Sequence, residues 1–234
     1  MATISTLKTF LAKIEDLALA DSTLFRGQRD DWDLLPKIAR INPRYSALDD
    51  EKQMVASLRR QVRQFINHEP RNDCDLLALP QHHGMATRLL DWTRNPLAAL
   101  FFAVAEPARK KTNAVVWFFQ PEEADFVADF ETIYPFSMGG TRIFVPNTVT
   151  AGIRVQSGFF SVHSRSWKLD RFVPLQRNRL MKSKLHKIEI APRHFSDLRY
   201  MLDQCGINRA SFFPDLDGLC QYLTWSHSKL EDEP

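Results

Sequence analysis

The sequence predicts an α+β fold, a single compact domain in which a mixed or antiparallel sheet is packed with helices at both chain ends. Three observations predict it. Apolar residues recur at helical spacing near the start (Leu7, Phe10, Leu11, Ile14, Leu17) and again near the end (Phe195, Leu198, Leu202, Cys205). Ala114–Phe119 is a nearly continuous apolar run of strand length, which suits a central strand. Several strand-like segments then follow one another, an order that alternating βαβ units would not give.

Each element has its own signal. Residues 5–19 predict the first helix, broken at Asp21-Ser22, and residues 23–27 a short strand ended by Gly27. Residues 34–45 read as irregular, punctuated by Pro36 and Pro43. Residues 48–66 predict a second helix with Val55, Leu58, Val62 and Phe65 on one stripe and Arg59, Arg60 and Arg63 on the other face. Residues 76–87 predict a short helix running into a turn at Gly84. Asn95-Pro96 is a helix start, since Asn caps and Pro suits the first helical position. The Ala98, Ala99, Ala103 face of that helix allows close packing. Further strands are expected at 142–145, 153–156, 159–163 and 186–190. The helix from Phe195 closes at Gly206, and Pro214 opens a last helix toward Trp225, with Asp215 and Asp217 as its capping carboxylates. Residues 1–22 are expected to form an N-terminal helix, 23–225 the main domain and 226–234 a charged tail.

Composition removes several classes of function. Of 234 residues, 44% are hydrophobic and 25% charged, enough apolar surface to offset chain entropy, which excludes wholesale disorder. No stretch approaches the ~18 apolar residues of a membrane span, and the first residues carry Lys8, Lys13, Glu15 and Asp16 in place of a secretory apolar run. Three scattered cysteines form neither a disulfide framework nor a CxxC site. A cytoplasmic protein with no membrane partner is therefore expected. Glycine is scarce, at 8 residues, and neither GxGxxG nor GxxxxGK[ST] occurs, which argues against a Rossmann dehydrogenase and a P-loop NTPase. The net charge of +3 permits an anionic ligand.

Four features could carry chemistry. Arg26, at the end of a predicted strand, can hold a phosphate or carboxylate bidentately, or form a structural ion pair. The stretch 79–93, with Gln81, His82, His83, Thr87, Arg88, Asp91 and Trp92, is the densest polar cluster and reads as a loop held over a pocket, with an Arg88–Asp91 ion pair as its plain structural alternative. No metal site is expected, because adjacent His82 and His83 diverge and no HExxH accompanies them. Glu189 lies in a short alternating strand, where carboxylates are depleted. Finally Arg171, Arg177, Arg179, Lys182, Lys184 and Lys187 fall together with no acidic residue between, a local phosphate-attracting patch or a solvated loop.

These residues resemble a known family. Phe25-Arg26-Gly27 followed by Trp32, Leu35 and Pro36 is similar to the opening of the FRG domain family, named for that tripeptide. Gln81-His82-His83-Gly84, then Thr87 to Thr93, then Asn95-Pro96 to Ala103 resembles its central signature, with Met85-Ala86 where the family more often has an aliphatic residue and Pro. Arg154-Val155-Gln156-Ser157-Gly158-Phe159-Phe160, Ile190-Ala191-Pro192 and residues 213–219 resemble its later segments, so the resemblance spans about 23–222. It implies a bacterial or phage-borne protein in a defence or toxin setting. A second resemblance is to the ADP-ribosyltransferases, through the order Arg26, the Thr87–Thr93 segment before an Ala/Phe-rich helix, and Glu189, although the Ser-Thr-Ser element of that superfamily is replaced. It implies NAD as cofactor, with Arg26 on the phosphates and Glu189 stabilising the ribose as the nicotinamide bond breaks.

The expectation is therefore one pocket that binds a nucleotide, lined by Arg26, Gln28, Gln81, His82, Thr87, Arg88, Asp91, Trp92, Gln156 and Glu189. NAD-dependent ADP-ribosyl transfer or NAD cleavage is its most concrete version, with Arg26 and Glu189 as the catalytic pair. The alternative is a non-enzymatic nucleic-acid or nucleotide-sensing module that uses Arg177, Arg179, Lys182 and Lys184.

Overall fold

The computed structural model describes residues 4–17, 20–42, 47–66, 70, 72–108, 112–128, 134–146, 158–166 and 171–233. Eight strands occur among them: β1 (Leu24–Gln28), β2 (Leu89–Thr93), β3 (Ala114–Phe119), β4 (Arg142–Phe144), β5 (Gly158–Val162), β6 (Arg165–Ser166), β7 (Arg171–Phe172) and β8 (Leu185–Ile190). Six form one antiparallel sheet in the order β4-β5-β2-β1-β3-β8, while β6 and β7 pair apart from it. The helices are α1 (Leu7–Asp16), α2 (Ala47–Gln61), α3 (Asp73–His82), α4 (Pro96–Val104), α5 (Phe195–Gln204), α6 (Arg209–Phe212) and α7 (Leu216–Ser226). The fold is α+β, as expected, with helices at both ends of the chain.

Local chemistry accounts for most boundaries. Thr6 and Thr9 form a reciprocal capping box at the start of α1. The Asn95 side chain accepts from the backbone N–H groups of Leu97 and Ala98, and Pro96 takes the first helical position of α4. Asp215 accepts from Gly218 N at 2.7 Å and so caps α7. Gly84 (φ 87°) and Gly206 (φ 74°) occupy the left-handed region just beyond α3 and α5.

Two expectations change. The stretch 79–93 is not a loop over a pocket: α3 runs to His82, and Leu89–Thr93 is a strand in the middle of the sheet. Leu89, Leu90 and Trp92 are buried on its two faces, and the charged Asp91 between them breaks the apolar pattern that marks a buried strand. The second helix ends at Gln61 and tightens into a 3₁₀ turn over Val62–Phe65. The strand expected at 153–156 lies outside the described residues.

Three apolar clusters hold the layers together. On one face, α1, α4 and α5 cover Phe25, Val116, Phe118, Ile188 and Ile190. On the other, Leu34, Leu175 and Met181 cover Leu24, Leu90, Trp92, Trp117 and Phe119. Residues of α2 and α3 pack on Leu89, Phe144, Phe160 and Val162. The chain ends join the same body. Ile4 bridges to Ile190, and Arg199 of α5 pairs with Asp232 and Glu233.

α4 lies directly on β1 at Gly27. A Cβ on Gly27 would stand 1.8 Å from the Ala99 carbonyl oxygen and 2.7 Å from Ala103 N. Both obstacles are backbone, so neither can swing aside. Gly27→Ala is expected to lower the unfolding free energy by at least about 2 kcal/mol, through displacement of α4 from the sheet. Urea denaturation of the two proteins measures it, and a loss under about 0.5 kcal/mol, the range of an ordinary surface substitution, would refute the close packing.

Candidate functional site

A cleft of about 660 Å³ opens where β1 and β2 part. These two neighbours share a single register pair, Phe25 with Thr93, whereas β1 runs beside β3 for five pairs. Arg88 O accepts from His163 N, so by antiparallel alternation the peptide groups of residues 89, 91 and 93 turn toward β1. Continuing the register would put Gly27 opposite Asp91. Instead the guanidinium of Arg26 bridges the gap, its Nη1 donating to Asp91 O at 2.9 Å and to Asp91 Oδ2 at 3.4 Å.

Asp91 is held from its other side as well. Gln81 Nε2, from α3, donates to Asp91 Oδ1 at 2.7 Å, and Thr87 Oγ1 donates to Gln81 Oε1, which fixes the amide's orientation. Arg26, Gln81 and Asp91 thus converge despite their separation in the sequence.

The rest of the wall is part cationic and part aromatic. Arg29, Trp32 and Arg40 come from the segment after β1, Trp92 from β2, Phe102 and Glu106 from α4 and its end, and Phe213 from the turn before α7. Phe102 and Phe213 meet edge to face at 6.2 Å. Trp32, 36% exposed, stands at the rim with the Arg40 guanidinium 6.0 Å from its ring. Arg40 is held by the carbonyls of Leu35 and Asp33.

Charge in the cleft is unbalanced. It carries three guanidiniums and two carboxylates, and Glu106 is already paired with Arg209 at 3.3 Å. Burial lowers the pKa of Arg26, and the neighbouring charge of Arg40 lowers it further, against the opposing pull of Asp91. Two buried donors in the cleft lining also lack a partner among the described residues, Arg26 Nε and Gln28 Nε2. Gln28 is 4% exposed, and its Oε1 accepts from Trp117 Nε1 at 3.0 Å. That bond assigns the amide oxygen to Trp117 and leaves the Nε2 donor free.

Behind the cleft a polar chain runs through the sheet. Trp92 Nε1 donates to Ser161 Oγ at 2.9 Å, and Ser161 Oγ lies 3.0 Å from His163 Nε2. Burial pushes the His163 imidazole down to about 3, helped by the charges of Arg26 and Arg88.

The remaining expected site residues lie elsewhere. Arg88 does not line the cleft. It is 2% exposed, and its Nη2 lies 2.6 Å from Glu51 Oε2 of α2 while its Nη1 donates to Pro135 O at 2.7 Å. The structural pair of Arg88 is thus Glu51, not Asp91. Thr87 is buried one step behind Gln81. Glu189 sits on the edge strand β8, two strands from Arg26, and does not line the cleft. Its carboxyl is held below the usual range by Lys187 and Asn113, with Lys187 Nζ at 3.0 Å. The side chain of His82 and all of Gln156 lie outside the described residues. In the basic patch Lys184 is committed to Glu122 and Asp125, and Arg177 pairs with Asp33. Arg179 and Lys182 are exposed, and among the described residues neither has an ion-pair partner.

Sequence reasoning missed Arg29, Trp32, Arg40, Phe102, Glu106 and Phe213 as parts of the site. One signal was available: Trp32 is a lone large aromatic in a polar, irregular segment just after Arg26.

The fold and the cleft define an α+β domain with a cationic, aromatic-lined site at a parting of two central strands. Residues 21–112 match the family model of the FRG domain, and the chain carries an FRG domain over that segment. The match takes in every cleft residue except Phe213. No curated protein and no solved structure matches the chain significantly.

Two outcomes follow from the buried polar groups. Glu51→Gln removes the counter-charge of a buried guanidinium, so a loss of about 3–5 kcal/mol is expected in urea denaturation; a loss under about 1 kcal/mol, the worth of a surface pair, would show that the pair is solvated. His163 is neutral when folded but titrates near 6.5 when unfolded. Below that pH the unfolded chain gains a proton that the folded chain refuses. Stability should fall by up to about 1.4 kcal/mol per pH unit from this residue as the pH drops below 6.5, and be flat above it. His163→Gln should remove that slope, read from denaturation midpoints between about pH 7 and 5. Equal slopes in the two proteins would contradict a buried neutral imidazole.

Proposed function

We propose that the cleft binds a nucleotide, with its phosphates on Arg26 and Arg40 and its base among the aromatic side chains. The observation that carries this reading is the shared placement of the Arg26 and Arg40 guanidiniums in the cleft lining, with a buried Nε donor on the first that has no partner among the described residues. Like charges side by side are costly, and an anion between them turns the cost into attraction. The volume of about 660 Å³ suits a ligand of that size. Gln28 Nε2 adds a neutral donor for a further acceptor atom.

NAD is the ligand that joins this site to a reaction. Cleavage of the nicotinamide–ribose bond builds positive charge on the ribose, which a nearby carboxylate stabilises. Asp91 is the carboxylate that supports such a step, because it faces the cleft with Gln81 and Arg26 fixing its position. Glu189 stands outside the cleft and is neutralised by Lys187. NAD consumption suits the defence or toxin setting that the family resemblance implies.

Calorimetry with NAD and an assay of nicotinamide release test both levels. Arg26→Lys keeps a charge but loses the planar fork, so NAD affinity should fall about tenfold. Asp91→Asn should slow nicotinamide release by on the order of 10² with a much smaller change in affinity. Glu189→Gln should leave the rate within about twofold, since the charge it removes does not face the ligand. NAD binding without nicotinamide release would favour the sensing module, and absence of binding by both NAD and AMP would reject a nucleotide site.

A further inference from the structure

The segment after β1 that carries Trp32 and Arg40 does not end at the cleft. It is bonded directly to the basic turn 174–184. Leu34 N donates to Gln176 Oε1 at 3.0 Å, and Leu175 N donates to Leu34 O at 3.0 Å. Asp33 Oδ1 accepts from Gln176 Nε2 at 2.7 Å and from Arg177 Nη2 at 3.1 Å. Arg40 donates to the carbonyl of the same Asp33. Asp33 thus accepts two side-chain donors through Oδ1, and Asp31 of the same segment is paired with Lys187. Beyond this junction the turn presents Arg179 and Lys182, both exposed and without an ion-pair partner among the described residues, around Leu180, which is 68% exposed.

We infer that the cleft takes its nucleotide from a single-stranded nucleic acid, whose flanking phosphates run across the rim onto Arg179 and Lys182. The inference rests on the nucleotide reading of the cleft and names the substrate class of that site. Three features favour it. Arg179 and Lys182 belong to the turn that is bonded to the segment carrying Trp32 and Arg40, so the two sets of cations sit on connected elements. Trp32 at the rim is a partly exposed aromatic beside the Arg40 guanidinium, and stacking on an aromatic ring is how unpaired strands are held without regard to sequence. A base can enter a cleft of this size only when it is out of a duplex, which selects single strands.

The test uses the full chain and three probes: AMP, a labelled uridylate strand of about 12 nucleotides, long enough for the cleft and the turn together, and the same strand annealed to its complement. The single strand should bind at least tenfold more tightly than AMP at about 50 mM salt, compete with AMP, and bind more tightly than the duplex. The double variant Arg179→Ala/Lys182→Ala should weaken the strand about tenfold and flatten its log–log salt dependence by roughly 1.4, the share of two released counterions on a single strand. Its AMP affinity and melting temperature should stay unchanged. AMP that binds no less tightly than the strand, strand binding that ignores the double substitution, or a strand that AMP does not displace would overturn the inference while leaving the nucleotide site in place. Duplex preference would overturn it too. Failure of AMP and NAD alike would remove the nucleotide reading itself, and the inference with it.

Discussion

A carbonyl inside a sheet needs a donor, and at Asp91 that donor is a side chain. The guanidinium of Arg26 reaches across the space where β1 would otherwise pair with β2 and takes the Asp91 oxygen. This one substitution of side chain for backbone keeps the sheet continuous while holding two central strands apart. The cleft, its cationic character and the orientation of Asp91 all follow from it. The same guanidinium keeps hydrogen-bonding capacity in reserve: Nη1 serves the sheet, and the buried Nε has no partner among the described residues.

The three residues that open the domain divide the labour. Phe25 is buried against α4 and α5, Arg26 spans the parting, and Gly27 lets α4 lie directly on the strand. A larger residue at 27 would lift α4, and with it Phe102 and the apolar wall of the cleft. The central signature behaves similarly. Thr87 holds Gln81, Gln81 holds Asp91, and Arg88 turns away to join the sheet to α2 through Glu51. Much of what looks like a chemical motif is the scaffold of one carboxylate.

The elements with strong local signals were legible in the sequence: α1, α4, β3, α5 and α7, each marked by periodicity, a cap or an uninterrupted apolar run. The strand β2 was not, because its pattern is broken by Asp91, whose charge is tolerated only at a parting that the sequence cannot display. The convergence of Arg26, Gln81 and Asp91 was legible as polar residues with no other reason to gather. The partner of Arg88 was not, since Glu51 is one of several charged residues on α2 and nothing local marks it as buried. Glu189 was read through its strand position, yet its neighbours Lys187 and Asn113 satisfy it at the sheet edge. Arg40 and Phe213 reach the cleft from irregular segments whose path depends on tertiary packing.

The strand order has a consequence for how the chain reaches this state. Apart from β4 and β5, neighbours in the sheet are remote in sequence: Phe25 and Thr93, Trp92 and Phe159, and Trp117 and Lys187 each stand about 70 residues apart. Each pairing must close a long loop before any ladder energy is returned, which marks a slow-folding topology. During synthesis β1 and β3 can meet only after about half the chain has emerged, and β3 keeps an open edge until Leu185–Ile190 arrives. The nascent protein therefore carries an apolar, unpaired strand for much of its synthesis. That interval, more than the finished fold, is where it is exposed to aggregation and to chaperones.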